Sequence, residues 1–281
     1  MTLSSVVFVG GGNMAGAIIG GLLRSGWVSG AISVIDPDDG RRAALQSGFG
    51  VRTLGAADAS LHGAGCVVWA VKPQLFKVAA AACAEHIAGA LHLSVMAGIR
   101  SDAIVHATGS ERVVRAMPNT PALIGQGISG LYARAAVTTE ECAAVERLLA
   151  PTGQTLWVQA EVDLDAVTAL SGSGPAYFFY MVEAMMAAAV QLGLSAEQGR
   201  RLALATCGGA AALGLQSDES PTVLRERVTS KGGTTYAAIS SLQADRVGEA
   251  VQRAVLAAAR RAKELGDEFG AAPGSGSSSK T

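Results

Sequence analysis

Two rhythms of apolar and polar positions divide the chain. In its first half, short apolar runs at 6–9, 32–35, 66–70, 91–95 and 112–116 read as buried strands. Between them, apolar residues recur at helical spacing, at 15–23, 40–47 and 76–87 among others. Later runs at 127–133 and 154–159 read as further strands, with a helix between them that ends near Pro151 and Gly153. Strands and helices alternating at this length predict an α/β fold with a parallel, doubly wound sheet. After about Val162 the strand signals stop and four helical stretches follow. The first opens with Pro175, where a missing N–H costs nothing. The second opens on a capping box, Ser195 with Gln198, and the third on Ser220 followed by Pro221. The fourth region follows "SKGGTT" and includes a long helix over about 245–269. The expected organisation is an α/β domain over 1–161, a helical domain over 162–269, and a low-complexity, disordered tail over 270–281.

Within this pattern, "FVGGGNMAGAIIGGLL" puts glycines between the first strand and the first helix. Glycine accepts positive φ, so a plain tight turn explains them. A phosphate cradle explains them more fully. Gly10, Gly12 and Ala15 fit G-x-G-x-x-A, in which the first glycine turns the chain, the second lets a pyrophosphate approach and the third small residue lets helix and strand pack. Gly11, Asn13 and Met14 complete the loop. Asp36, at the end of the second strand, stands near the offset at which an acid meets a dinucleotide ribose.

Composition narrows the classes. The chain has 281 residues, 49% hydrophobic and 16% charged, so a large core or subunit interface is expected. A net charge of −1 gives no electrostatic grip on nucleic acid or an anionic membrane. The N-terminus lacks the basic region of a signal peptide. Residues 176–194 approach the length of a membrane span, but Glu183 and Gln191 argue for a helix buried on all sides in protein, in a subunit interface. Cys66, Cys83, Cys142 and Cys207 are scattered and read as buried thiols of a reducing, cytoplasmic compartment. The four histidines show no ligand spacing, and no metal site is expected.

Several strand ends carry candidate chemistry, since open α/β sheets bind ligands at the carboxyl ends of their strands. Lys72, in "VVWAVKPQ", either faces a cofactor or is a solvated lysine before a proline-started helix. Ala97 and Gly98 would let a ligand approach the backbone or simply make a turn. In "RAMPNTPALIGQG" two prolines stiffen a loop around Asn119, which forms a pocket wall or bonds local backbone. "ALSGSGPAYF" and "VTSKGGTTYAAI" open helices with free N–H groups and hydroxyls, which suits a small carboxylate as well as an ordinary cap. No Ser-His-Asp order, paired carboxylates or Walker lysine appears, so a cofactor that brings its own chemistry fits the inventory.

Taken together, "FVGGGNMAGAI", "AVKPQ", "MPNTPALIGQG", "DAVTALSGSGPAYFF" and "VTSKGGTTYAAI" closely resemble pyrroline-5-carboxylate reductases, in order over almost the whole chain. The resemblance implies reduction of the C=N bond of 1-pyrroline-5-carboxylate to L-proline with NADPH or NADH, the last step of proline biosynthesis. It implies a Rossmann domain followed by a helical dimerisation domain, a homodimer at least, often assembled further into a decamer. It assigns the cofactor to Gly10, Gly11, Gly12, Asn13, Met14, Ala15, Ala70, Val71, Lys72, Ala97 and Gly98, and the strand-end residues Asp36, Pro73 and Asn119 complete the expected cofactor set. It assigns the substrate to Glu161, Ser173, Gly174, Ser230, Gly233, Thr234 and Thr235, with Thr235 polarising the ring nitrogen as the catalytic group. Lys231 stands where some members of the family have proline. Asp36 favours NADH or use of both cofactors, whereas the family favours NADPH; Arg41 and Arg42 could reach a 2′-phosphate or be ordinary solvated residues. The competing readings are a reductase of a six-membered imine or of a 2-hydroxy acid, and a non-catalytic dinucleotide sensor.

Overall fold

The computed structural model describes Leu3 and residues 5–270, and the tail expected over 270–281 lies outside them but for its first residue. One sheet holds eight strands: β1 (Val6–Val9), β2 (Ile32–Ile35), β3 (Arg52–Leu54), β4 (Cys66–Trp69), β5 (Leu91–Ser94), β6 (Val113–Met117), β7 (Gly127–Ala133) and β8 (Gly153–Trp157). Their spatial order is β3-β2-β1-β4-β5-β6-β7-β8. Neighbours run parallel except β6 and β7. Val6 pairs with Ile32 on one side and Cys66 on the other, so β1 lies inside the sheet.

Alternate residues of the inner strands feed two cores. Val6 and Phe8 pack with α1 (Asn13–Arg24) and α5 (Thr139–Leu149). Val7 and Val9 pack on the opposite face with α3 (Phe76–Cys83) and α4 (Ser101–Thr108). With helices on both faces, β1 and β4 are buried at every position and read as continuous apolar runs. Phe8, Ile18 and Ile19 are fully buried, each contributing about 1.5–3 kcal/mol of apolar burial. The other helix of this region, α2 (Asp39–Phe49), is capped by Asp38, whose side chain accepts from the Arg41 amide. Two elements escape the sequence reading. These are β3, a three-residue strand on the edge, and the five-residue helix Asp163–Val167, both too short for a period to register.

The chain forms two compact units. One runs to Gly172 and resumes at Ala258; the other is Ser173–Ala257. After β8 the first unit continues through α6 (Asp163–Val167) and a π-helical turn, Thr168–Gly172. This stretch is pinned to the sheet by arginines. Arg100 reaches Asp165 through two hydrogen bonds of 2.8 and 3.1 Å, and Arg115 reaches Glu161 at 2.8 Å. The C-terminal end of α11 (Val247–Gly270) also belongs to this unit and lays Phe269 and Leu265 over Gly98.

The second unit is all helical: α7 (Gly174–Gln191), α8 (Ala196–Gln216), α9 (Pro221–Arg227), α10 (Thr234–Ala244) and the first part of α11. The sequence signals for its starts hold. Pro175 and Pro221 sit in the first turns, Ser220 accepts from the Val223 amide, and Ser195 and Gln198 form a complete capping box. α8 packs on α7 where Gly199 leaves no room for a side chain, since a Cβ there would lie 2.9 Å from that of Ala189. The expectation for 176–194 is burial in a subunit interface, and in the single chain this helix leaves most of its apolar side chains open. Phe178, Phe179 and Tyr180 are 63%, 59% and 73% exposed, and Val182 is the buried apolar residue of α7. Among the described residues no helix is long and apolar enough to cross a membrane.

Candidate functional site

The β1–α1 turn is built by glycine at a position no other residue tolerates. Gly10 has φ +99°, and a Cβ on it would lie 2.7 Å from the Ala70 carbonyl oxygen at the end of β4. Its amide donates to the Ile35 carbonyl at 2.8 Å, which ties the turn to β2. Gly12 then opens α1 without a side-chain cap, and no acidic residue occupies the first turn. A Cβ on Gly12 or on Gly16 would meet nothing within 4 Å. The backbone is therefore bare toward a groove of about 880 Å³. Unpartnered N–H groups and the positive end of the helix dipole face that space, an arrangement suited to a pyrophosphate.

Asp36 lies where β2 ends, 3% exposed. One carboxylate oxygen accepts from the Gly11 amide at 2.8 Å and the other from the Asp38 amide at 2.9 Å. The two arginines that follow part company. Arg42 turns back to the Asp36 carbonyl at 2.7 Å and pairs with Asp39. Arg41 lines the groove, half exposed, with a guanidinium nitrogen 3.8 Å from the Asp36 carboxylate. Lys72 stands exposed at the rim.

The groove thus gathers Gly10, Gly11, Gly12, Asn13, Asp36, Ala70, Val71 and Lys72. It also takes Gly16, Gly20 and Arg24 from α1 and Leu123 from the loop after β6, none of which the sequence reading singled out. Gly12, Gly16 and Gly20 recur every four residues on one helix face, a signal that was present to be read.

Other expected residues have different work. Ala15 is fully buried beneath α1, and Met14 packs against the same core. Pro73 begins a short 3₁₀ turn after Lys72. Ala97 is exposed and does not line the groove. Gly98, expected to admit a ligand, has φ +75° and instead makes room for Phe269, whose ring would lie 3.0 Å from a Cβ there. Asn119 is likewise outside the groove: its side-chain nitrogen donates to the Ser171 carbonyl at 3.2 Å and its oxygen accepts from the Ile128 amide at 3.0 Å.

Glu161, expected to touch the substrate, has partners within the fold. Its carboxylate accepts from the amide and hydroxyl of Ser101, each at 2.6 Å, and from Arg115. It caps α4 and neutralises an arginine that is 4% exposed, which accounts for its charge without a ligand. Burial works against the Arg115 charge and lowers its pKa, with Glu161 opposing that effect.

The remaining expected substrate residues lie in the second unit. Ser173 and Gly174 start α7, whose first turn has no side-chain cap. Gly233 precedes α10, again without a side-chain cap, and a Cβ on it would lie 2.7 Å from the Ser230 hydroxyl. The first amides of α10, including those of Thr234 and Thr235, have no intrahelical partner.

Comparison with known proteins adds identity. Residues 161–265 match the family model described as pyrroline-5-carboxylate reductase dimerisation, and residues 5–98 that described as NADP oxidoreductase, coenzyme F420-dependent. A pyrroline-5-carboxylate reductase of Pseudomonas aeruginosa is 43% identical over 272 residues, 96% of this chain and all of that protein. The plant enzyme of Pisum sativum is 36% identical over 92% of this chain and 94% of its own length. The structure of a Coxiella burnetii pyrroline-5-carboxylate reductase superposes with a TM-score of 0.89 at 36% identity, over 94% of this chain and 99% of that one. A Plasmodium falciparum pyrroline carboxylate reductase with NADP bound superposes at 0.83 and 26% identity, over 95% and 99%. With a relative this similar over almost its full length, and a Rossmann-type sheet followed by helices that match the dimerisation model, the chain belongs to the pyrroline-5-carboxylate reductase family.

Proposed function

We infer that this chain is an NAD(P)H-dependent oxidoreductase that reduces 1-pyrroline-5-carboxylate to L-proline in the cytoplasm. The observation that carries the reading is the bare glycine groove at an uncapped helix N-terminus, in a chain 43% identical to a reductase of that name. When bound, NADPH or NADH supplies the hydride that adds to the imine carbon. Gly10, Gly11, Gly12 and Asn13 hold the pyrophosphate on backbone amides, and Asp36 with Arg41 meets the adenine-side ribose. Ala70, Val71 and Lys72 border the path of the cofactor past the β4 end.

In this reading the substrate carboxylate rests on the amides around Gly233, Thr234 and Thr235, with Ser230, Ser173 and Gly174 alongside. The Thr235 hydroxyl donates a hydrogen bond to the ring nitrogen, and solvent or the substrate itself delivers the proton that the nitrogen gains as the imine carbon gains hydride. That hydrogen bond draws electron density from the carbon and fixes the ring's orientation. Positioning of this kind supplies several kcal/mol of a barrier. Residues 1–161 form the cofactor domain and 162–269 the substrate and dimerisation domain. A second copy covers the exposed apolar side chains of α7, making a homodimer that can build further toward a decamer.

The test is initial-rate oxidation of NADPH, and separately NADH, by purified protein with 1-pyrroline-5-carboxylate. Turnover is expected, and Thr235→Ala is expected to lower kcat about tenfold or more with cofactor Kd unchanged. Cofactor binding without turnover on this imine would overturn the assignment.

A further inference from the structure

Asn119 sits in the loop after β6, at the edge of the sheet where the parallel strands of this unit end. It is 8% exposed and makes two hydrogen bonds that span the chain. Its oxygen accepts from Ile128 at the start of β7, nine residues on; its nitrogen donates to the carbonyl of Ser171, 52 residues on. Ser171 belongs to the π-helical turn Thr168–Gly172, a backbone form that leaves the ordinary helical hydrogen-bond ladder out of step. That turn is seated on the same strand end by a second contact. Gly172 carries no side chain, and a Cβ there would lie 2.8 Å from the Met117 methyl group. The next two residues are Ser173 and Gly174, where α7 begins without a side-chain cap.

We propose that Asn119 is a positioning residue for the substrate-binding turn: it fixes the Ser171 carbonyl and thereby sets where Ser173 and the Gly174 amide lie. The proposal rests on the substrate assignment given above. It moves Asn119 off the cofactor, because both ends of its amide are engaged elsewhere in the fold. An amide is the side chain that suits the place, since one end must donate and the other accept. Asp at 119 keeps the acceptor for Ile128 and loses the donor for Ser171.

The experiment compares wild type, Asn119→Asp, Asn119→Ala and Gly172→Ala. The Gly172 variant meets only the mobile end of the Met117 side chain, which can swing away, and so controls for volume added beside the turn without touching Asn119. For each, kcat and KM for 1-pyrroline-5-carboxylate, the Kd of NADPH by fluorescence and the Tm are measured. The expected result is a fall of about tenfold to a hundredfold in kcat/KM for the imine in both Asn119 variants and a smaller change in the Gly172 variant, with NADPH Kd within about twofold of wild type throughout. A weakened NADPH Kd in the Asn119 variants would return Asn119 to the cofactor and overturn the proposal. Lowered Tm with kinetic constants unchanged for the folded enzyme would leave only a structural role and overturn it equally. Failure of wild type itself to turn over the imine would refute the substrate assignment, a result separate from either.

Discussion

His92 offers a measurement of how the sheet is held together. It lies within β5 and is 1% exposed, and its Nδ1 accepts a hydrogen bond from Trp69 Nε1 at 3.1 Å on the neighbouring strand. Accepting there places the proton of the neutral ring on Nε2. The two rings stack, and Phe76 meets the Trp69 ring edge-on. Burial, with a smaller push from the Arg112 charge, lowers the His92 pKa from 6.5 to about 4. The unfolded chain therefore takes up a proton that the folded chain refuses. Stability is fully present above about pH 6.5 and is lost as pH falls toward 4. The whole linkage is worth about 3 kcal/mol, of which about 2 kcal/mol falls between pH 7.5 and pH 5. Urea unfolding followed by tryptophan fluorescence, at fixed protein concentration, reads it directly. His92→Gln keeps an acceptor for Trp69 and removes the titration. Its stability is expected to fall less between those two pH values than that of wild type, by about 2 kcal/mol. Equal pH dependence in the two proteins would refute the reasoning.

Two further outcomes follow from the site. Glu161→Ala strands the buried Arg115 charge and is expected to cost about 3–5 kcal/mol by urea denaturation, with substrate KM little changed; a stable variant with a tenfold higher KM would make Glu161 a substrate ligand after all. Arg41→Ala is expected to cut kcat/KM with NADPH about tenfold and to change that with NADH less than about threefold, since Arg42 is already engaged and cannot replace it. Equal losses with both cofactors would remove Arg41 from selection of the 2′-phosphate.

The strands and the glycine turn were legible because their signals are local. A four-residue apolar run such as Val6–Val9 announces a doubly covered strand, and Gly10 announces the positive φ at its end. Capping boxes at Ser195 and the prolines that open α7 and α9 were legible for the same reason. β3 and α6 were not, being too short for their periods to stand out. The site divides along the same line. Residues whose role is to have no side chain, Gly10 and Gly12, could be read in the motif. The groove's Gly16 and Gly20 could have been read too, from their four-residue spacing on α1.

What the sequence alone determined is where the chain turns, which faces are apolar and which backbone amides are left bare, because these depend on neighbours within about four residues. Only the tertiary structure decided how the polar side chains are used. Gly98 reads as a ligand approach in the sequence, and the fold lays Phe269 beside it. Glu161 and Asn119 read as ligand contacts in the sequence, and the fold gives each hydrogen-bond partners tens of residues away. A buried carboxylate or amide must be satisfied by whatever the fold brings to it, and no local pattern records which distant group that will be.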